Sequence, residues 1–212
     1  FFDPMGTMPK FDPRAPDRNT ELGEASMLLG RLYLKGAGPI GKDPREAHKW
    51  FERAFKVGHV AAAKAVGDLY YFGVEGEPDM KTAFAWYSRG ARFGHAPSQF
   101  ALARMYETGE AGKVDLKTAV AWYNEAAKIE YPAALYALGY AYDKGIGVSR
   151  DPVRAIGLYK TGAIKGDVGA QAMIATCFYT GDQVEKNLPQ ARQWFEAAAR
   201  GGDAEAAFSL AA

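Results

Sequence analysis

A single cysteine among 212 residues removes two kinds of protein at once. Cys177 has no partner for an internal disulfide and cannot build a thiol-rich metal site. Histidine is almost as scarce: His48, His59 and His95 are the whole supply. His59 and His95 share one place in a repeated pattern, so they do not converge on a metal. Charge of one sign is also missing, with 26 basic residues against 25 acidic and a net charge of +1. A nucleic-acid binder needs a basic excess on one face, so no nucleic-acid partner is expected. No apolar run reaches the ~18 residues that a membrane helix needs, so no membrane span is expected in this segment. No Gly-x-Ser-x-Gly nucleophile motif occurs. The many carboxylates fit solvated helix faces, with no pair set apart for acid–base work. No catalytic residue, metal site or cofactor is assigned, and an enzyme is not expected.

What the chain does have is a period. Trp50, Trp86 and Trp122 lie 36 residues apart, and Trp194 stands two periods further on. Gly73, Gly109, Gly145 and Gly181 keep the same spacing, with Gly36 one residue further off because the first unit carries an extra loop residue. Self-similarity at this length is the mark of a stacked array. Cys177 occupies the position of Leu69, Met105 and Ala141, so it reads as a small buried apolar residue rather than a reactive thiol.

Within each unit the first half carries apolar residues at i, i+4, i+7 and i+8, as in Ala134, Leu138, Ala141 and Tyr142, which make one helical stripe. A small residue follows the third-turn apolar position (Gly30, Gly67, Ala103, Gly139, Ala175) and lets a second helix approach closely. The periodic glycine then supplies the left-handed conformation that ends the helix. Asp43, Asp79, Asp115, Asp151 and Asn187 are suited to cap the next helix. Pro44 and Pro152 follow at the first helical position, and Asp43 with Glu46 spells a capping box. The second helix reads Ala-x-x-Trp-Tyr/Phe-x-x-Ala/Gly, with Leu158 in place of the fourth tryptophan. The fold expected is all-α, a right-handed α-solenoid of five helix-turn-helix repeats of about 36 residues plus the first helix of a sixth. Residues 1–20, with Pro4, Pro9, Pro13 and Pro16, read as an extended arm. Residues 21–203 hold the repeats, and 204–212 a truncated sixth. The tryptophans Trp50, Trp86, Trp122 and Trp194 are assigned to holding the stack together, so Trp122→Ala is expected to cost ~3–5 kcal/mol.

The recurring Ala…Leu-Gly-x-Leu-Tyr-x-x-Gly and Asp-x-x-x-Ala-x-x-Trp-Tyr-x-x-Ala resemble the Sel-1-like repeat family, relatives of tetratricopeptide repeats. Residues 138–148 and 119–127 match best, and the likeness covers about 21–212. The cysteine-rich branch of that family pairs cysteines within repeats, which this chain does not do. The resemblance implies a non-catalytic adaptor or scaffold for protein–protein interaction, as such arrays serve bacterial envelope, signalling and exopolysaccharide pathways. It also implies that the first helix of each hairpin lines a concave groove. The alternatives are a carbohydrate-binding or structural subunit of a polysaccharide secretion apparatus, or a regulatory domain of a larger enzyme. A periplasmic or otherwise exported setting follows from family habit and from a chain that starts at Phe1. Its ends inside the pattern read as those of an excised portion.

On that concave face the stripe opposite the core carries Arg31, Lys64, Tyr71, Phe100, Arg104, Tyr136, Tyr140 and Tyr179, together with Met27. Arginine and aromatic rings dominate interface hot spots, which points to a protein or peptide segment of apolar and acidic character. Packing between repeats is the competing account of the rings. The apolar residues Phe1, Phe2, Met5, Met8 and Phe11 give the arm two readings: self-association by folding into a groove, or a linker. The run Gly36-Ala37-Gly38-Pro39-Ile40-Gly41 spells a dinucleotide fingerprint, but it follows a helix rather than a strand and is read as a loop.

Overall fold

The computed structural model describes residues 20–36, 39–74, 76–110 and 112–209. Among these there are eleven α-helices and no strand. They are α1 (Thr20–Lys35), α2 (Pro44–Lys56), α3 (Ala61–Tyr71), α4 (Met80–Arg92), α5 (Ala96–Thr108) and α6 (Leu116–Lys128). After them come α7 (Pro132–Lys144), α8 (Pro152–Ile164), α9 (Val168–Thr180), α10 (Leu188–Arg200) and the short α11 (Ala204–Ser209). The chain divides into two compact units, Phe1–Val114 and Asp115–Ala212. In the first, hairpin α1/α2 packs on hairpin α3/α4, and α4 on α5. In the second, α6 packs on α7, and hairpins α7/α8 and α9/α10 stack in the same manner. This is the α-solenoid class that the period implies.

Local chemistry starts each second helix. The Asp43 carboxylate accepts from the backbone N–H groups of Arg45 and Glu46 at 3.0 and 3.1 Å. Asp79, Asp151 and Asn187 accept from Thr82, Arg154 and Gln190, each at 3.0 Å. These bonds satisfy donors that a helix start leaves unpaired. The capping box expected at Asp43 forms only on one side. Its own N–H donates to the Tyr33 carbonyl at 2.8 Å, while the Glu46 carboxylate pairs with Lys49 at 2.5 Å. The same closing bond recurs from Asp79 to Tyr70, Asp151 to Tyr142 and Asn187 to Phe178, at 2.8–2.9 Å. One residue therefore caps a helix and ties off the loop that precedes it. At the other end of the loop, Gly36, Gly73, Gly109, Gly145 and Gly181 all have φ between 61° and 81°, a region costly for residues with a Cβ.

The small residue of the first helix meets a ring of the second. A Cβ at Gly67 would lie 2.5 Å from the Tyr87 ring, and one at Gly139 2.8 Å from that of Tyr159. Gly30 stands against Phe51 in the same way. The most deeply buried aromatic series is accordingly one residue beyond the tryptophans: Phe51, Tyr87, Tyr123 and Tyr159 are all 3% exposed or less. The four tryptophans differ in burial, and Trp194 packs against the core of Ile156, Ala163 and Ile174. Trp86 is buried, wedged edge-on by Phe55 at 5.6 Å between ring centroids. Trp50, Trp122 and Trp194 are only half-buried. The small-residue notch receives the ring after the tryptophan, so the indole falls on the flank of the hairpin.

Candidate functional site

Each unit holds a groove between successive hairpins. In the first unit it has a volume of about 510 Å³ and is walled by Met27, Leu34, Phe51, Leu69, Phe72 and Val74. Arg31, Lys64, Asp68 and His95 supply its polar edge. Lys64 Nζ lies 2.6 and 2.9 Å from the two Asp68 carboxylate oxygens. Asp68 Oδ1 also accepts from the Tyr87 hydroxyl at 2.7 Å. Burial, and then the Asp68 charge, push the Tyr87 phenol far above its ordinary range, so it stays a donor. His95 is pushed down to about 4, by burial first and by Lys64 second. It is a neutral imidazole at physiological pH, with Nδ1 2.8 Å from Ser98 Oγ. Arg31 is exposed and forms no ion pair among the described residues. Among the described residues the groove is thus a mainly apolar trough whose one charge without an ion-pair partner is the Arg31 guanidinium.

The remaining expected residues fall in two sets. In the first unit, the Tyr71 hydroxyl donates to Glu110 at 3.0 Å, and Arg104 lies 3.4 Å from Glu107. Phe100 is half-buried. In the second, Tyr136 and Tyr140 lie 6.4 Å apart by ring centroid, and Tyr136 covers Gly169, where a Cβ would be 3.0 Å from its ring. Packing therefore takes much of Tyr136. Tyr140 and Tyr179 stay 40% and 57% exposed. Met27, expected on the open face, is 3% exposed and belongs to the core and the groove floor.

The second unit's groove has about 460 Å³ and lies between α7/α8 and α9 with its following loop. Sequence reasoning did not single it out. It occupies the same place in the repeat as the first: Phe51, Asp68, Leu69, Phe72 and Val74 give way, three periods on, to Tyr159, Thr176, Cys177, Thr180 and Asp182. Leu34 gives way to Asp143, allowing for the extra residue of the first unit's loop. The second groove keeps an apolar lining from Ala155, Ile156 and Met173 and adds hydroxyls and carboxylates at those places. Asp143 Oδ2 is 2.7 Å from Lys144 Nζ, and the Asp143 carbonyl accepts from Arg150 Nε at 2.8 Å. Burial pushes the Cys177 thiol up, which keeps it protonated and slow to react. The Tyr159 hydroxyl is buried with no hydrogen-bond partner among the described residues. The signal was in the repeat columns: Tyr159 repeats Tyr87, but the place of Asp68 is taken by Tyr140.

Among the described residues no three His, Cys, Asp or Glu side chains stand close enough to hold a metal ion, and no helix is long and apolar enough to cross a membrane. Ala37 and Gly38 of the dinucleotide-like loop, the arm through residue 19, and residues 210–212 lie outside the described residues.

Comparison with known proteins agrees with the repeat pattern. A family model described as Sel1 repeat matches five times, over residues 23–59, 60–95, 96–129, 132–167 and 168–203. A protective antigen of uropathogenic Escherichia coli with an SLR fold is 32% identical, with a TM-score of 0.80 over 89% of this chain and 40% of its own. This chain therefore spans well under half the length of that antigen. A Sel1 repeat protein from Oxalobacter formigenes is 30% identical, with a TM-score of 0.81 over 91% of this chain and 78% of its own. An immunity protein of Pseudomonas aeruginosa, 22% identical with a TM-score of 0.61 over 95% of this chain and 70% of its own, shares the fold. No curated protein matches the chain.

Proposed function

The chain belongs to the Sel1 repeat family, and from that premise we propose that it is a non-catalytic adaptor whose first unit binds an extended segment of a partner protein. Sel1 repeat proteins generally mediate protein–protein interaction, on a scaffold that is generally not catalytic. The observation that carries the reading is the 510 Å³ mainly apolar trough with Arg31, without an ion-pair partner among the described residues, at its edge. A large apolar side chain of the partner packs against Leu34, Leu69 and Phe72, and a neighbouring carboxylate meets the Arg31 guanidinium in a bidentate pair. Lys64 is held by Asp68, and the pair forms a polar edge of no net charge beside the trough. Tyr71, Phe100 and Arg104 extend the surface along the first unit. Tyr136, Tyr140 and Tyr179 offer ring surface in the second. A bacterial envelope, signalling or exopolysaccharide setting is the family-level context of this reading.

The test is selection of a displayed random-peptide library on the whole chain. Enriched peptides pair an acidic residue with a large apolar one, and Arg31→Glu weakens them by about tenfold or more while leaving helicity unchanged. Peptides without an acidic residue, or indifferent to Arg31→Glu, overturn the reading. Exposed Tyr140 and Tyr179 favour a second reading, stacking on sugar rings. Retention on immobilised polysaccharide, lost with Tyr140→Ala, would put that reading in first place.

A further inference from the structure

The second unit's groove carries a feature that core packing does not require. Tyr159 is 1% exposed, lines the groove, and its hydroxyl finds no partner among the described residues. A buried phenol left unpaired costs free energy that phenylalanine would avoid. The same array shows both ways of avoiding it: Phe51 has no hydroxyl, and Tyr87 gives its own to Asp68.

The chemistry around Tyr159 is acceptor-rich. Thr176 and Thr180 turn their protons back along α9, to the carbonyls of Ala172 and Thr176 at 2.9 Å each. Their oxygens are left to accept, and that of Thr180 already accepts from the Asp182 backbone N–H at 3.2 Å. Asp182 is exposed at the mouth, and Asp143 lines the groove with its Oδ2 at 2.7 Å from Lys144 Nζ. Of the cations lining the groove, Lys144 pairs with the Asp143 carboxylate, while Arg150 donates through Nε to the Asp143 carbonyl and keeps its charge. Ile156 and Met173 give the same groove an apolar side.

We propose that the second unit's groove is a separate binding site for a basic side chain, a lysine or arginine presented by a partner protein. The methylene stem lies along Ile156 and Met173. The charged head donates to the Tyr159 hydroxyl oxygen and to the Asp143 and Asp182 carboxylates, which supplies the missing partner and meets negative charge. The site does not depend on the acidic-segment groove of the first unit, and either can stand without the other.

Cys177 lines this groove and is the chain's only thiol, so it reports on this place alone. The experiment follows alkylation of Cys177 in the whole chain by the neutral reagent iodoacetamide. Nα-acetyl-lysine amide, Nα-acetyl-arginine amide, Nα-acetyl-glutamate amide and glucose are each added at increasing concentration. The two basic probes slow alkylation by about fivefold at saturation, and the acidic and neutral probes leave it unchanged. Tyr159→Phe raises the basic probes' half-protecting concentration by about tenfold, through loss of a bond to a charged group. Asp182→Asn raises it by about threefold, as suits an exposed carboxylate. Both variants keep the packing, because neither changes a buried volume appreciably. No protection by the basic probes, equal protection by glutamate amide or glucose, or protection indifferent to both substitutions would overturn the proposal. Peptide binding in the first unit reads through Arg31, so failure of one site is told apart from failure of the other.

Discussion

The two units place a groove at the same point of the repeat and line it with different side chains. In the first, Leu34, Phe51, Leu69, Phe72 and Val74 make an apolar trough; in the second, Asp143, Tyr159, Cys177, Thr180 and Asp182 stand at those places. Backbone and small-residue notches are alike: Gly30 faces Phe51, Gly67 faces Tyr87 and Gly139 faces Tyr159. The array therefore fixes volume and leaves polarity free. A stacked repeat can do this because each hairpin touches only its neighbours, so a change in one groove does not propagate. Diversity of binding in such a scaffold comes from recolouring one pocket shape.

The largest expected effect lies in how each unit holds its tryptophan. Trp86→Ala in the first unit should cost ~3–5 kcal/mol, because the indole is 1% exposed and its removal leaves a cavity beside Phe55. Trp122→Ala in the second should cost less than that, since the ring keeps some solvent contact. Urea unfolding of the two variants measures both. Equal losses would mean that the flank position matters as much as the notch, and the account of the aromatic series would be wrong.

Much of this architecture was legible in the residues. Period 36, the caps at Asp79, Asp151 and Asn187, and the glycines that close each first helix are local signals, and local signals survive in sequence. Two things were not legible. One was which of two adjacent aromatics, Trp122 or Tyr123, enters the notch. Both lie on the apolar side of α6, and only the crossing of the paired helices decides between them. The other was the second unit's pocket. Cys177 sits among apolar counterparts in its column, which hides that the Tyr159 beside it has lost the acceptor Asp68 provides elsewhere. Side-chain satisfaction depends on pairs of columns, whereas periodicity reads one column at a time. For the expected groove residues the outcome was mixed. Arg31 and Lys64 share one groove, Tyr136 is largely packed over Gly169, and Met27 is buried.

A smaller effect separates the two tyrosines. Tyr87→Phe removes a 2.7 Å bond to a carboxylate and should cost about 1–2 kcal/mol. Tyr159→Phe removes a hydroxyl that has no partner among the described residues, and should leave stability unchanged or raise it by up to about 1 kcal/mol. The comparison sharpens with Tyr140→Asp, which puts a carboxylate where Asp68 stands relative to Tyr87. In that background Tyr159→Phe should become costly, and a double-mutant cycle isolates the coupling. If Tyr159→Phe is as damaging in the natural chain as Tyr87→Phe, the hydroxyl is satisfied and the difference between the units collapses.

The smallest difference is in acid response. All three histidines belong to the first unit, and burial, with a smaller push from Lys64, holds His95 down to about 4. A depressed folded value means that the unfolded chain takes up the proton first. The stability held by neutral His95 is therefore fully present above pH ~6.5 and is lost as pH falls from there toward 4. The ring keeps some solvent contact, so this loss amounts to about 1 kcal/mol or less. In the second unit burial raises the Asp167 carboxyl above its ordinary value. Its sign is opposite: the folded state takes the proton more readily, so acid relieves a penalty that is present above the folded value. Hydrogen exchange at pH 6.5 and 4.5, corrected for intrinsic rates, should show protection falling in α3–α5 and holding in α8–α9. His95→Asn should flatten the first response without touching the second. A uniform fall across both units would place the acid sensitivity elsewhere than His95 and remove this distinction between them.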